Sequence, residues 1–446
     1  MFKQDYIKDR NFLLLFFGSL VSGIGSRIYG FGISLFLLDL TGLATSMATY
    51  ISIWTFVIFV LAPIAATFTD RWKKKVRVLY LTDFGRGIVY FLSALGVYYF
   101  NSIGNTDLVL VTIYVLLIFI AVQTAFFSPA SSALLPQLVH QDELVSAGSL
   151  FQLTRSIITI AGLALGAYIY GRYGIVILIV INAVSFILSA VSEMFIKFDT
   201  AKNQERLDKT AYEEDVVDQN NKFAHYVKRT FKDLKDATVY IFRDAKPIAA
   251  IVFIIIISLT MVQPYFSIGV PYIIKEYLSF ENFNPNYILA SSETAVSVGM
   301  IIMSLIVAGY LGAKLKIHQL LKIAGITYIL ISITYLLAIK FYDLNIIEQN
   351  TFLFMFIGIN FIAGLTEALI NAPLNASISK YVDPNKIGKV VTMMDSFGGI
   401  LMPFAILLTG VLIDQVSVYI VAYIMIIGIL LMTLIIFKNK YIKELK

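Results

Sequence analysis

The chain lays down about a dozen apolar stretches, each long enough to cross a lipid bilayer, beginning with Phe12–Leu38 and ending with Ser417–Phe437. A helix needs roughly 20 mostly apolar residues to span about 30 Å of hydrocarbon, and it satisfies its own backbone hydrogen bonds where no water is available. The pattern predicts a polytopic, all-α membrane protein. Composition points the same way. The chain is 58% hydrophobic and 14% charged, with a mean hydropathy of +0.80, which leaves too little polar surface to cover a water-soluble domain. There is no cysteine, so disulfides and thiolate metal sites are excluded, and His140, His225 and His318 are scattered among predicted loops. Neither a metal nor another cofactor is expected. The first apolar stretch is too long for a signal-peptide core and is expected to be retained as the first helix.

The predicted spans are 12–38, 44–69, 76–100, 107–135, 145–170, 174–196, 247–274, 286–311, 317–339, 350–379, 388–413 and 417–437, which makes twelve helices and puts both termini on one side. Of the 35 lysines and arginines, 29 fall in the loops, tails and adjoining helix ends of that side, against Arg172, Lys275 and Lys340 on the other. Basic residues accumulate in cytoplasmic loops, so both termini are expected in the cytoplasm and the protein in the cell membrane. Topology of this kind also accounts for the net charge of +6 without a nucleic-acid partner.

Residues 198–246 form the one long polar segment, with an acidic patch at Glu213, Glu214, Asp215 and Asp218. They are expected to link an N-terminal six-helix half, 1–197, to a C-terminal one, 247–446. Phe223, Tyr226, Val227, Phe231, Leu234, Thr238, Ile241 and Phe242 recur at steps of three and four with charged residues between them, which predicts an amphipathic helix along the membrane interface. The halves also echo each other: a shift of 244 positions sets Pro129 on Pro373 and Gly166 on Gly410. A parallel repeat with an even number of spans per half suits a transporter whose two halves rock against each other.

At this point the residues reach a family. Ala66-Thr67-Phe68-Thr69-Asp70-Arg71-Trp72-Lys73-Lys74-Lys75, between helices 2 and 3, resembles the G-x-x-x-D-R-x-G-R-R signature of the major facilitator superfamily, and Gly309-Tyr310-Leu311-Gly312-Ala313-Lys314 echoes it between helices 8 and 9. The run from Ser128 to Val139, followed by Leu144 and Ala147, and the run from Leu81 to Gly87 look like the macrolide-efflux and siderophore-exporter branch. The resemblance implies twelve helices in two pseudo-symmetric six-helix halves, with helices 1, 4, 7 and 10 lining a central cavity. Three features depart from the pattern. Ala66 and Lys73 stand where glycine is preferred, helix 4 lacks a buried arginine, and no Gly-Pro pair lies between Gly162 and Gly166. The departures bear on the coupling ion rather than on the fold.

Ionisable residues inside the spans are few, and each costs at least about 2.5–3.5 kcal/mol at the bilayer centre unless it meets a partner or a wet cavity. Asp83 and Arg86 lie three apart on helix 3 and can pair. By the resemblance, Arg155 and Asp395 sit on helices that pack near the signature loop, so they join Asp70, Arg71, Asp83 and Arg86 as gating or latching candidates. Helix 10 carries Asn360, Gly364, Glu367, Asn371 and Asn375 at helical spacing, a polar stripe that must face protein or water. Glu367 near its middle, Arg27 of helix 1, and Glu293 of helix 8 are the candidates for substrate or proton contact, although Glu293 suits a solvated helix end equally well. Gln123 on helix 4 and Gln263 on helix 7, between kinks expected at Pro264 and Pro271, complete the set.

These features predict a secondary active exporter that moves an amphipathic organic molecule, drug-like, macrolide-like or siderophore-like, by alternating access coupled to proton antiport. The expected partners are that small molecule, protons and membrane lipids, and the expected state is a monomer. The alternatives are a lipid or glycolipid flippase on the same fold and, more remotely, a membrane enzyme or a non-transporting receptor. An enzyme would cluster Asp, His or Cys at one membrane face, and the sequence shows no such cluster.

Overall fold

The computed structural model describes residues 5–71, 75–139, 143–197, 235–236, 238–243, 245–311, 314–383 and 386–443, and the described residues are helical and joined by short turns. The helices are α1 (Arg10–Thr41), α2 (Ala44–Arg71), α3 (Lys75–Ser102), α4 (Thr106–Leu138), α5 and α6 within Leu144–Met194, α7 (Lys246–Tyr277), α8 (Pro285–Leu311), α9 (Ile317–Asp343), α10 (Gln349–Tyr381), α11 (Ile387–Gln415) and α12 (Val418–Lys438). Among the described residues, eleven helical stretches are long and apolar enough to cross a membrane. One of them accounts for two spans. Leu144–Met194 runs for 51 residues, and Gly174 interrupts it with φ 76° and ψ −178°, a backbone state that a Cβ disfavours. At about 1.5 Å per residue such a helix would be more than twice as long as the hydrocarbon is thick, so α5 ends and α6 begins at Gly174, and the described residues hold twelve spans.

Local sequence sets the ends of several helices. Asp9 Oδ1 accepts from the backbone N–H groups of Asn11 (2.8 Å) and Phe12 (3.1 Å) at the start of α1. Asn105 caps α4 through the Leu108 N–H, and Asn284 caps α8 through the Asn286 N–H. In α7, where Pro264 and Pro271 cannot donate to the ladder, the helix widens into five-residue π turns over Ser258–Val262, Tyr265–Gly269 and Ile273–Tyr277. Large apolar side chains cover the outer faces, as with Phe354 at 81% exposure and Leu305 at 70%. Exposure on that scale fits lipid as the surrounding solvent.

The chain resolves into two compact units, one of Met1–Ile33 with Phe56–Thr230 and one of Ser34–Thr55 with Phe231–Lys446. In the first, Gly162 and Gly166 of α5 let the α1 backbone approach at Arg27 and Ile28, and Gly87 of α3 faces Ala183 and Ile187 of α6. Asn11 and Lys197 tie the start of α1 to the end of α6 by reciprocal hydrogen bonds of 2.7 and 3.0 Å. At that end Phe12, Leu15, Leu79, Leu134 and Ala147 form a buried apolar cluster.

The second unit takes in residues 34–55 for visible reasons. Asp414 of α11 caps α2 by accepting from Ala44 N–H (2.9 Å) and Thr45 N–H (2.8 Å), Ser52 donates to the Pro403 carbonyl (2.8 Å), and Gly410 abuts Ala48. Lys275 of α7 pairs with Asp39 and donates to Asn286 at 3.0 Å. Of the amphipathic helix predicted in the linker, the part up to residue 234 lies outside the described residues. Residues 238–243 are helical, with Ile241 buried.

Candidate functional site

The second unit contains a cavity of about 540 Å³ walled by α7, α8, α9, α10, α11 and α12. Five of the residues singled out in the sequence line it together: Gln263 from α7, Glu293 from α8, and Asn360, Glu367 and Asn371 from α10. Each is placed by a local cause. The widened turns of α7 on either side of Gln263 and Pro264 set the course of that wall. On α10 the polar stripe divides by size. Gly364 is pressed against the Val296 backbone of α8, where a Cβ has no room, while Asn360, Glu367 and Asn371 project to the cavity. Gly299 of α8 meets the Phe361 carbonyl of α10 in the same way. Small residues that let two backbones touch are a recurrent device for packing membrane helices. Here they hold α8 and α10 so that Glu293 and Glu367 open onto one space.

The polar groups of the cavity are partly committed. Asn371 Nδ2 donates to Glu367 Oε1 at 3.4 Å, and Asn360 Nδ2 donates to the Phe356 carbonyl at 2.8 Å. Ser292 spends its hydroxyl on the Leu289 carbonyl. Around these groups stand Leu259, Phe266, Met394, Ile429 and Met432. The volume and mixed wall match a site for a small organic molecule, and methionine side chains adapt to varied shapes. Two carboxylates line the cavity, and no lysine, arginine or histidine does among the described residues. Glu293 thus lies in the wall of the cavity. Tyr328 of α9, which the sequence reading did not single out, lines it too; a lone tyrosine in a chain with 26 of them carries no pattern to mark it.

The other candidates lie elsewhere. Arg27 is in the first unit with its Cβ against Gly162 and its side chain exposed. Gln123 of α4 sits in the first unit against Gly85 of α3, its Oε1 buried without a hydrogen-bond partner. Arg155 is exposed on α5. Asp83 and Arg86 pair with each other inside the first unit. Asp70 and Arg71 fall at the end of α2 and Asp395 on α11, but their side chains lie outside the described residues. Glu193 of α6, fully buried, went unremarked in the sequence because it falls in the last turn of a long apolar span.

Comparison with known proteins places this architecture. Residues 15–347 match the Major Facilitator Superfamily. The chain is 25% identical over 399 residues to the uncharacterised MFS-type transporter YkuC of Bacillus subtilis (strain 168), covering 88% of this chain and 83% of that protein. Among solved structures it is similar to a mutant of the nucleoside transporter NupG, with a TM-score of 0.69, 10% identity and coverage of 96% and 99%. It is also similar to a bacterial homologue of the iron transporter ferroportin in an inward-facing state, with a TM-score of 0.61, 13% identity and coverage of 97% and 98%. At such identities the likeness to the solved structures is one of fold.

Proposed function

The chain belongs to the major facilitator superfamily, and from that premise we propose that it is a proton-coupled exporter of amphipathic organic molecules that carry a basic nitrogen. The observation behind this reading is the cavity of the second unit, where Glu293 and Glu367 are the ionisable carboxylates and no basic side chain lines the wall among the described residues. Desolvation disfavours the charged form of a carboxylate unless a cation compensates. In such a cavity compensation comes from a proton or from a cationic substrate, and the two compete. Competition of that kind is what antiport requires. Substrate displaces the proton on one side of the membrane, and a proton displaces substrate on the other.

Glu367 is the best candidate for the exchanging group, because Asn371 holds its side chain by a hydrogen bond that an amide could also accept. Leu259, Phe266, Met394 and Met432 would take the apolar body of the substrate. In this reading the protein acts in the cytoplasmic membrane with both termini in the cytoplasm, and the cycle involves no covalent chemistry. Reconstitution in proteoliposomes tests it. Glu367→Gln should abolish accumulation of a lipophilic cation driven by an imposed pH difference while preserving downhill exchange. A variant that still concentrates substrate under the pH gradient would remove Glu367 from the coupling step.

A further inference from the structure

The first unit buries a second group of ionisable side chains, within its own helix packing and separate from the cavity. Asp83 and Arg86 of α3 and Glu193 of α6 are 0%, 5% and 0% exposed, and Glu193 lies seven residues past Phe186, on the face of α6 that meets Arg86, within electrostatic reach of both Arg86 and Asp83. Arg86 donates to Asp83 Oδ1. Its guanidinium lies between two aromatic rings, 4.3 Å from the Phe127 centroid and 4.4 Å from the Phe186 centroid. The rings hold the cation by its faces and leave it little freedom to turn toward a new partner. Neither oxygen of Glu193 has a hydrogen-bond partner.

Charge bookkeeping then leaves one carboxylate uncompensated. Arg86 balances a single negative charge, and Asp83 already takes its hydrogen bond. The neighbouring elements bring no second cation inward. Arg10 and Arg27 of α1, Arg77 of α3, Arg155 and Arg172 of α5 and Lys197 just past α6 are exposed, Lys75 sits at the head of α3, and Tyr90 of α3 is stacked on Phe186 with ring centroids 5.6 Å apart. Ser192, beside Glu193, gives its hydroxyl to the Leu14 carbonyl of α1. Thus the cluster comprises two acids, one guanidinium and no other ionisable partner among the described residues. It is electrically neutral when it holds one proton.

We propose that Asp83 and Glu193 together form a binding site for one exchangeable proton, held beside the Arg86 guanidinium and separate from the carboxylates of the second unit's cavity. The proton resides on Glu193 while Arg86 engages Asp83. Its departure leaves the cluster with one net negative charge and obliges the two carboxylates to share the cation. Because Phe127 of α4 and Phe186 of α6 clamp that cation, loss of the proton loads the contact among α3, α4 and α6. The site thereby lets pH act on the first unit without passing through the substrate cavity.

Infrared difference spectroscopy on purified protein in lipid nanodiscs, between mildly acidic and alkaline pH, tests the proposal. The wild-type spectrum should contain a carboxylic-acid C=O band that titrates and is missing from Glu193→Gln. Asp83→Asn gives a second reading that leaves Glu193 intact: with its rival gone, Glu193 ionises against Arg86 and the same band disappears. A band that survives in Glu193→Gln, that persists in Asp83→Asn, or that stays unchanged at alkaline pH would each overturn the proposal. Should Glu193→Gln fail to fold, the Asp83→Asn spectrum decides alone. Glu367→Gln should keep the band, so failure of the coupling role assigned to Glu367 and failure of this site are read separately.

Discussion

Gly364 of α10 lies against the backbone of Val296 in α8 so closely that no Cβ fits between them. Glu367 is three residues beyond the first and Glu293 three before the second, so the glycine contact fixes the two helices that carry the acids of the cavity. Gly364→Val should force the helices apart, at a cost of about 1–3 kcal/mol. Gly358, six residues earlier on the same helix, has open space where its Cβ would stand, and Gly358→Ala should be tolerated. Thermal unfolding of the two variants in detergent checks the contrast. Equal melting temperatures would mean that the α8–α10 contact gives way at no cost.

The charge of the cavity predicts a pH dependence of substrate binding. Under the proposed antiport, protons and a cationic ligand compete for Glu293 and Glu367, so affinity for a lipophilic cation such as tetraphenylphosphonium should rise with pH. A hydrogen bond or ion pair to a charged group contributes about 1.5–3 kcal/mol, so Glu367→Gln should weaken binding by roughly ten- to hundred-fold and flatten its pH profile. Binding isotherms at several pH values provide the measurement. A neutral analogue of similar shape should lose much less.

Asp70 and Arg71, at the end of α2, are proposed to act as a latch on the cytoplasmic side, with Asp395 of α11 as a partner. Asp70→Asn should then favour the inward-open state and slow transport several-fold while substrate affinity stays near that of the parent protein. Double electron–electron resonance between spin labels on the cytoplasmic face reads the populations, and identical distance distributions in both proteins would dismiss the latch.

Orientation is testable because the chain has no cysteine of its own. Single cysteines at Lys74, Asn220 and Lys386 should be protected from an impermeant thiol reagent added outside intact cells, whereas those at Asn105 and Asn282 should react. The opposite pattern would reverse the proposed direction of transport.

The twelve-helix architecture was legible from the chain because crossing a bilayer imposes a length and a polarity on each segment, and both are properties of consecutive residues. Even the break inside Leu144–Met194 was marked, since the predicted spans stop at 170 and resume at 174, where Gly174 takes its positive φ. The polar stripe of α10 was legible for the same reason: Asn360, Glu367 and Asn371 repeat at the helical period. What the repeat does not state is which neighbour each stripe residue meets. Gly364 turned out to be the packing point, and Asn360, Glu367 and Asn371 the lining. Glu293 shares a cavity with Glu367, Arg27 belongs to the other unit, and Glu193 of α6 comes within electrostatic reach of Asp83 and Arg86 of α3. Such pairings depend on the rotation and approach of helices far apart in sequence, set by a few glycines and by aromatic side chains. Hydropathy, summed along one helix at a time, therefore determined how many helices there are, and the packing between helices decided which charges meet.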